Sequence, residues 1–316
     1  MGAGELNMTN IVEALLNIPV LLFLPFLFIG VINRVKSLWA GRIGPPLLQP
    51  FFDFIRSMKK GEVISRETSF VFILAPTLTL AAVLSAGLVT PMIRGTSILG
   101  FDGDFIFFAY VLAAGKFFSI LAAMDTGSSF EGMGAAREAV FSVFAEPAFF
   151  LLAGSLCLVS GLIRFETIFT VLPGQAGMAP LVKVLAVSVI FVLVLVEGSR
   201  VPVDDPNTHL ELTMVHEVMV LDNSGPDLGF IQYASAARMV ILSSLIPNLI
   251  IPREIGLLTW VMLYLLIIWV IAAAIGVVES VMARLRMIHV PQFIFLVSAL
   301  SVVVLAAVMI YTYGGR

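Results

Sequence analysis

Long apolar runs separated by a few short polar segments set the pattern of this chain. A hydrocarbon layer about 30 Å thick requires roughly 20 mostly apolar residues per helical crossing, because backbone groups in lipid must find their hydrogen bonds within the segment itself. Eight stretches meet that requirement: 14–33, 70–89, 105–123, 139–163, 180–197, 232–251, 257–278 and 292–313. The runs are continuous rather than alternating, and far longer than the roughly 10 residues of a barrel strand, so helices are predicted. The expectation is an all-α, polytopic membrane protein forming a single integral membrane domain over residues 1–316. Its polar segments on one face are 34–69, 124–138, 198–231 and 279–291.

Composition strengthens this reading. The chain is 59% hydrophobic and 12% charged, about half the charged share of an average soluble domain. A single Cys excludes a disulfide framework or a cysteine-held cluster, and three His spread over His209, His216 and His289 argue against a protein-held metal. No cofactor is expected on this chain. The net charge of −3 does not bear on nucleic acid, but no basic run longer than Lys59-Lys60 exists to contact one. The 14 Met and 25 Phe read as lipid-embedded packing more readily than as a ligand surface.

The first span is not expected to be cleaved, since no Lys or Arg precedes Arg34 and no small-residue cleavage site follows. Eight crossings return both termini to one side, and the Lys/Arg distribution selects which. Segment 34–69 holds Arg34, Lys36, Arg42, Arg56, Lys59, Lys60 and Arg66, and the same face adds Arg137, Arg200, Arg238, Arg284 and Arg286. The opposite face has Arg94, Arg164, Arg253 and Arg316. Twelve against four predicts cytoplasmic polar segments and both termini outside. Lys116 and Lys183 lie within spans. Lys183 is near a helix end and can snorkel; Lys116 is deeper, where an unpaired ammonium costs several kcal/mol, and calls for a carboxylate partner in the bundle interior.

Four polar motifs stand out. Arg42-Ile43-Gly44-Pro45-Pro46 interrupts the chain before Gln49 and Asp53, and the apolar spacing that follows predicts a short interfacial amphipathic helix. Asp125-Thr126-Gly127-Ser128 leads to Arg137-Glu138-Ala139 and Glu146-Pro147. Glu197-Gly198-Ser199-Arg200 continues through Asp204-Asp205 to Glu211-Leu212, with His216, Glu217 and Asp222 beyond. The last motif is Glu279 through Ala283-Arg284-Leu285-Arg286.

Together these ordered motifs resemble the family of complex I subunit 1, the membrane subunit joining the hydrophilic and membrane arms, over essentially the whole chain. The Arg42–Asp53 spacing and the Asp-Thr-Gly-Ser and Glu-Pro elements are most similar to the branch of energy-converting hydrogenases typified by formate hydrogenlyase subunit 4. The third loop departs from the family pattern: Asn207 and His209 stand where acids are usual, Asp205 is an added acid, and Asp222-Asn223-Ser224-Gly225 falls a few residues later than its counterpart.

The resemblance implies a coupling subunit in the cell inner membrane. Its partners would be hydrophilic hydrogenase-like or quinone-reducing subunits, an iron-sulfur subunit and antiporter-like membrane subunits. Iron-sulfur clusters and a nickel-iron centre would sit on those partners, and a quinone could bind in place of hydrogenase chemistry. Lys116, Asp125, Glu146, Lys183, Glu197 and Glu279 are the candidates for carrying charge through the membrane. Arg42, Gln49, Asp53, Arg137, Glu138, Arg200, Asp204, Asp205, His209, Glu211, His216, Glu217, Asp222, Arg284 and Arg286 are the candidates for lining the cytoplasmic cavity and docking loops. A plainer reading pairs Glu197 and Glu279 with Arg200, Arg284 or Arg286. The rival from another class is a free-standing ion transporter, which would account for Lys116 and Glu146 but not for the large polar motifs.

Overall fold

A computed structural model of the chain describes residues 8–170, 179–204 and 215–313. In chain order the helices are α1 (Met8–Trp39), α2 (Gln49–Met58), α3 (Phe70–Val89), α4 (Asp104–Asp125), α5 (Ser129–Ser160), α6 (Phe165–Ile168), α7 (Ala179–Glu197), α8 (His216–Met219), α9 (Gly225–Ser243), α10 (Leu245–Ile250), α11 (Leu257–Val281) and α12 (Val290–Tyr313). Eight spans are long and apolar enough to cross a membrane, with α9 and α10 together forming one of them. These are the eight runs legible in the sequence, and α3 has the expected boundaries.

Several boundaries differ. Residues 129–138, expected within a polar segment, are the opening turns of α5. Buried Glu131 and Glu138 lie on the side of α5 that faces protein, so their polarity marks an interior face and not a loop. Likewise α11 carries Glu279 inside its last turn, and α9 begins at Gly225, well before the predicted start. Arg238, counted with the polar segments, is buried inside α9. Asp205, Asn207, His209 and Glu211 lie outside the described residues.

Prolines shape the long helices. Pro25 inside α1 has no N–H to donate, which leaves the Leu21 carbonyl without its helical partner. The Tyr233 hydroxyl from α9 donates to that carbonyl at 3.1 Å. Around this bond Phe26 meets Phe51 and Phe54 of α2 at centroid distances of 5.3 and 5.5 Å, and Tyr233 at 5.0 Å. The amphipathic α2 is thereby fixed by its aromatic face against α1 and α9. Close approach of α1 to the turn before α2 requires Gly30, where a Cβ would stand 2.0 Å from the Leu47 carbonyl oxygen.

The two ends of the bundle are built differently. At one end meet the start of α1 and the connections before α4, after α5 and before α11. Arg94, with a left-handed φ of 55°, pairs with Glu13 at 2.8 Å and donates to the Arg253 carbonyl at 2.7 and 3.0 Å. Arg253 donates in return to the Arg94 carbonyl at 2.7 Å and pairs with Glu166 at 2.8 Å. Buried Asn17 and Asn248 bond the carbonyls of Thr96, Pro91 and Met92 alongside. Each guanidinium therefore has both a carboxylate and a carbonyl, and this end is a reciprocal clasp. The other end carries α2, α8 and a polar cavity.

Candidate functional site

The cavity has a volume of about 290 Å³ and lies between α1, α2, α9 and the segments around residues 200 and 216. Pro25, Phe26, Phe54 and Tyr233 form an apolar wall, and Asp53, Arg200, Asp204, His216 and Glu217 supply polar groups. Of the candidate residues, these five lie on the cavity wall and Arg137 and Glu138 do not. Glu138 lies behind His216, and Arg137 lies near Arg284 and Asp204.

The polar rim is built from ion pairs that tie separate elements together. Glu279, at the end of α11, meets Lys36 of α1 at 2.6 Å and Arg200 at 3.2 Å. Asp204 meets Arg284 at 2.9 Å and accepts from the backbone N–H groups of Val215 and His216 at 3.2 and 3.0 Å. Arg200 thus turns to Glu279, and its neighbour Asp204 turns to Arg284. Of the plainer pairings, Glu279 with Arg200 is present, while Glu197 chooses other partners.

From the cavity a chain of ionisable groups runs into the bundle. His216 Nδ1 is 3.5 Å from Glu138 Oε2. Glu138 Oε1 accepts from Ser142 Oγ at 3.5 Å and lies 3.8 Å from Lys116 Nζ. Lys116 donates to Ser142 Oγ at 3.3 Å and to Glu197 Oε1 at 2.6 Å. Glu197 Oε2 is 3.8 Å from Arg238. Glu146, one turn beyond Ser142 on α5, shares with Lys116 and Glu197 a small crevice of about 40 Å³ whose other walls include Phe108, Leu112 and Phe149. The deep lysine has the interior carboxylate its position demands.

Local sequence explains why these groups meet. Glu131, Glu138, Ser142 and Glu146 recur at spacings that keep them on neighbouring faces of α5. Gly134 lets the segment before α9 approach that face: a Cβ there would lie 2.4 Å from Val218 Cγ1 and 2.8 Å from the Val215 carbonyl. Ser298 of α12 donates to the Phe144 carbonyl at 2.8 Å, supporting the turn ahead of Pro147. Thr79 of α3 bonds the Gly115 carbonyl at 3.1 Å and seats α4 so that Lys116 faces inward.

Chemically the array can relay charge. Three carboxylates (Glu138, Glu146, Glu197) surround two fixed cations (Lys116, Arg238), so one added proton brings these five groups to neutrality. Burying unbalanced charge is costly. A change of charge in the cavity, next to His216, is therefore felt by Glu138 and then by Lys116, whose ammonium already lies within reach of two carboxylates.

Other candidates stand apart. Lys183 is half-buried on α7 and has no ion pair among the described residues. Asp125 accepts from the Ser69 N–H at 2.7 Å and fastens α4 to the start of α3. Arg42 and Arg286 are exposed. Gln49 donates to Asp53 at 2.8 Å within α2. Exposed Asp222 donates its backbone N–H to Glu131 Oε1 at 3.1 Å. Glu131 and Arg238 were not singled out from sequence; the helical spacing of Glu131 from Glu138 is the signal that identifies the former.

An eight-span helical membrane protein, with buried ionisable groups leading from a polar-rimmed cavity, is the class that fold and site define. The chain belongs to the NADH dehydrogenase family, that of complex I subunit 1, whose profile matches residues 12–311. It is 28% identical over 301 residues to hydrogenase-4 component C of Escherichia coli strain K12, covering 92% of this chain and 94% of that protein. It is 25% identical over 270 residues to formate hydrogenlyase subunit 4 of the same strain, covering 83% and 87%. The fold is shared with a chain of the membrane-bound sulfane sulfur reductase, an archaeal respiratory membrane complex, at a TM-score of 0.79 and 19% identity, covering 94% of this chain and 100% of that one.

Proposed function

We propose that this chain is the membrane-anchoring and coupling subunit of a complex-I-like oxidoreductase of the membrane-bound hydrogenase or formate hydrogenlyase type. The observation that carries this reading is the sequence of contacts from His216 at the cavity through Glu138 and Lys116 to Glu197, each no longer than 3.8 Å. Electrons stay on hydrophilic partners that hold iron-sulfur clusters and a nickel-iron centre. A change in their charge state above the cavity shifts the balance at His216 and Glu138. Lys116 passes that shift to Glu197 and Glu146, from which neighbouring antiporter-like subunits move protons or sodium. The cavity end, with most of the Lys and Arg, faces the cytoplasm of a cell whose inner membrane holds the complex, and the clasp end faces outside.

The apolar wall of Phe26, Phe54 and Tyr233 beside a polar rim favours a second reading, in which a quinone is reduced at the cavity. Purification in mild detergent separates the two. A co-purifying subunit with bound nickel supports the first reading; bound quinone without nickel replaces it with the second; a chain that purifies alone and transports ions refutes both. Orientation is tested by placing cysteine at Ser65 or Ser224, where reagent added outside intact cells is expected to give no labelling.

A further inference from the structure

The short helix α2 carries a stripe that the coupling route leaves unused. Phe51 and Phe54 turn one face of it toward α1 and α9. On the opposite face Leu48, Phe52, Arg56 and Lys59 follow one another at steps of four, four and three residues, the spacing of a single helical stripe. All four are exposed, Leu48 at 47% and Phe52 at 52%. The stripe is therefore apolar in its first half and basic in its second.

Depth along the bundle follows the same order. The turn before α2 abuts Gly30 of α1, and Phe51 reaches Phe26 at a centroid distance of 5.3 Å. Gly30 and Phe26 both lie inside the apolar run 14–33, Phe26 roughly 10 Å from its end at 1.5 Å per residue. From there α2 climbs along α9 toward its start. Phe54 packs on Tyr233 at 5.5 Å, a Cβ on Gly229 would stand 2.7 Å from Met58 Cε, and one on Gly225 would stand 2.9 Å from the Gly61 carbonyl oxygen. Leu48 and Phe52 thus belong to the half of α2 beside the apolar run, and Arg56 and Lys59 to the half that leaves it. Acyl chains, and not water or a soluble partner, meet a face at the depth of Phe26. Among the described residues Arg56 pairs with Asp53 at 3.4 Å, with 66% and 48% of the two side chains exposed, a contact worth little, and Lys59 has no ion pair. Between residues 42 and 62 the bases Arg42, Arg56, Lys59 and Lys60 outnumber the acids Asp53 and Glu62.

We propose that this stripe binds an anionic phospholipid from the bilayer leaflet at the cavity end, with an acyl chain along Leu48 and Phe52 and the phosphate between Arg56 and Lys59. The order of the side chains is that of the lipid itself, tail deep and charge at the surface. A guanidinium and an ammonium on neighbouring turns attract a phosphate, whereas a zwitterionic headgroup brings an ammonium of its own that they repel. A lipid held there braces α2 from outside and so backs the part of the cavity wall formed by Asp53 and Phe54. The site does not rest on the coupling route and is read out without it.

Photolabelling of the purified complex tests the site. The complex is reconstituted into phosphatidylcholine vesicles containing a trace of either phosphatidylglycerol or phosphatidylcholine with a photoreactive acyl chain, and adducts are located by peptide mass spectrometry. Phosphatidylglycerol is expected to label the stretch from Leu48 to Phe52 well above phosphatidylcholine. Arg56→Gln and Lys59→Gln are each expected to lower that excess about fivefold, the worth of one basic residue beside an anionic lipid surface, and the double variant to remove it. Arg42→Gln, off the stripe, is expected to leave the excess in place. Equal labelling by the two lipids would mean unselective solvation and overturns the proposal, as does an excess that survives the double variant or falls as far in Arg42→Gln. No labelling by either lipid would mean that a protein partner covers the stripe, and equally overturns it. If the double variant does not assemble, the comparison of the two lipids on the unaltered complex decides.

Discussion

The clasp end and the cavity end use the same side-chain chemistry for opposite purposes. At the clasp, Arg94 and Arg253 each satisfy the other's carbonyl as well as a carboxylate, so the guanidinium groups are spent on backbone and the loops are locked. At the cavity, Lys116 lies between Glu197 at 2.6 Å and Glu138 at 3.8 Å, and His216 touches both Glu138 and the cavity. Side chains that bond one another across helices can exchange partners without moving the backbone; side chains that bond carbonyls cannot. Donors aimed at carbonyls fix one end, whereas donors aimed at other side chains leave the second end able to change partners.

The largest expected effect is at Lys116. Lys116→Met leaves Glu197 with only the more distant Arg238 and leaves Glu138 next to an uncharged side chain, a change on the order of 3–5 kcal/mol for a buried pair. Electron transfer by the assembled complex is expected to continue while donor-driven cation uptake into inverted vesicles is abolished; uptake at the unaltered level would remove Lys116 from the route. Next is Gly134→Val, which forces its side chain into Val218 and the Val215 carbonyl and costs about 1–3 kcal/mol by overpacking. It is expected to part His216 from Glu138 and lower coupling several-fold with assembly retained, whereas unchanged coupling would mean that this contact carries nothing.

Smaller effects sharpen the contrast. Arg253→Ala deprives the Arg94 carbonyl and Glu166 of their donor, and should lower stability by about 2 kcal/mol, since the partly exposed ion pair adds little to the lost backbone bond. Thermal melting of the complex should shift while the ratio of cation moved to electrons transferred stays constant. A changed ratio would show that the clasp takes part in coupling. Tyr233→Phe keeps the aromatic packing but leaves the Leu21 carbonyl without a donor, an expected loss of about 1 kcal/mol; no loss would mean that water replaces the hydroxyl.

Sequence alone carried the fold a long way, because a membrane imposes a length and an apolarity that eight runs either meet or fail. It also showed that Lys116 needs a carboxylate. It could not say which: Glu146 is nearer along the chain, yet Glu197, 81 residues away, receives the ammonium. That choice depends on how α4, α5 and α7 pack. Arg137 and Glu138 looked like loop residues because polarity in a membrane protein first suggests water, and only the helical spacing back to Glu131 points to a buried face. Arg94 and Arg253 entered the reading as two charges in a topology count; their mutual bonds require connections that are distant in sequence to meet. Asp205, His209 and Glu211 lie outside the described residues.

The length of α5 has a mechanical consequence. Its 32 residues extend roughly 48 Å at 1.5 Å per residue, against about 30 Å of hydrocarbon, so this helix is longer than one crossing requires. Its opening turns carry Glu131, Gly134 and Glu138, and Glu146 follows on the same rod just before its proline. The groups beside the cavity and the groups in the interior are thus spaced by a single continuous helix.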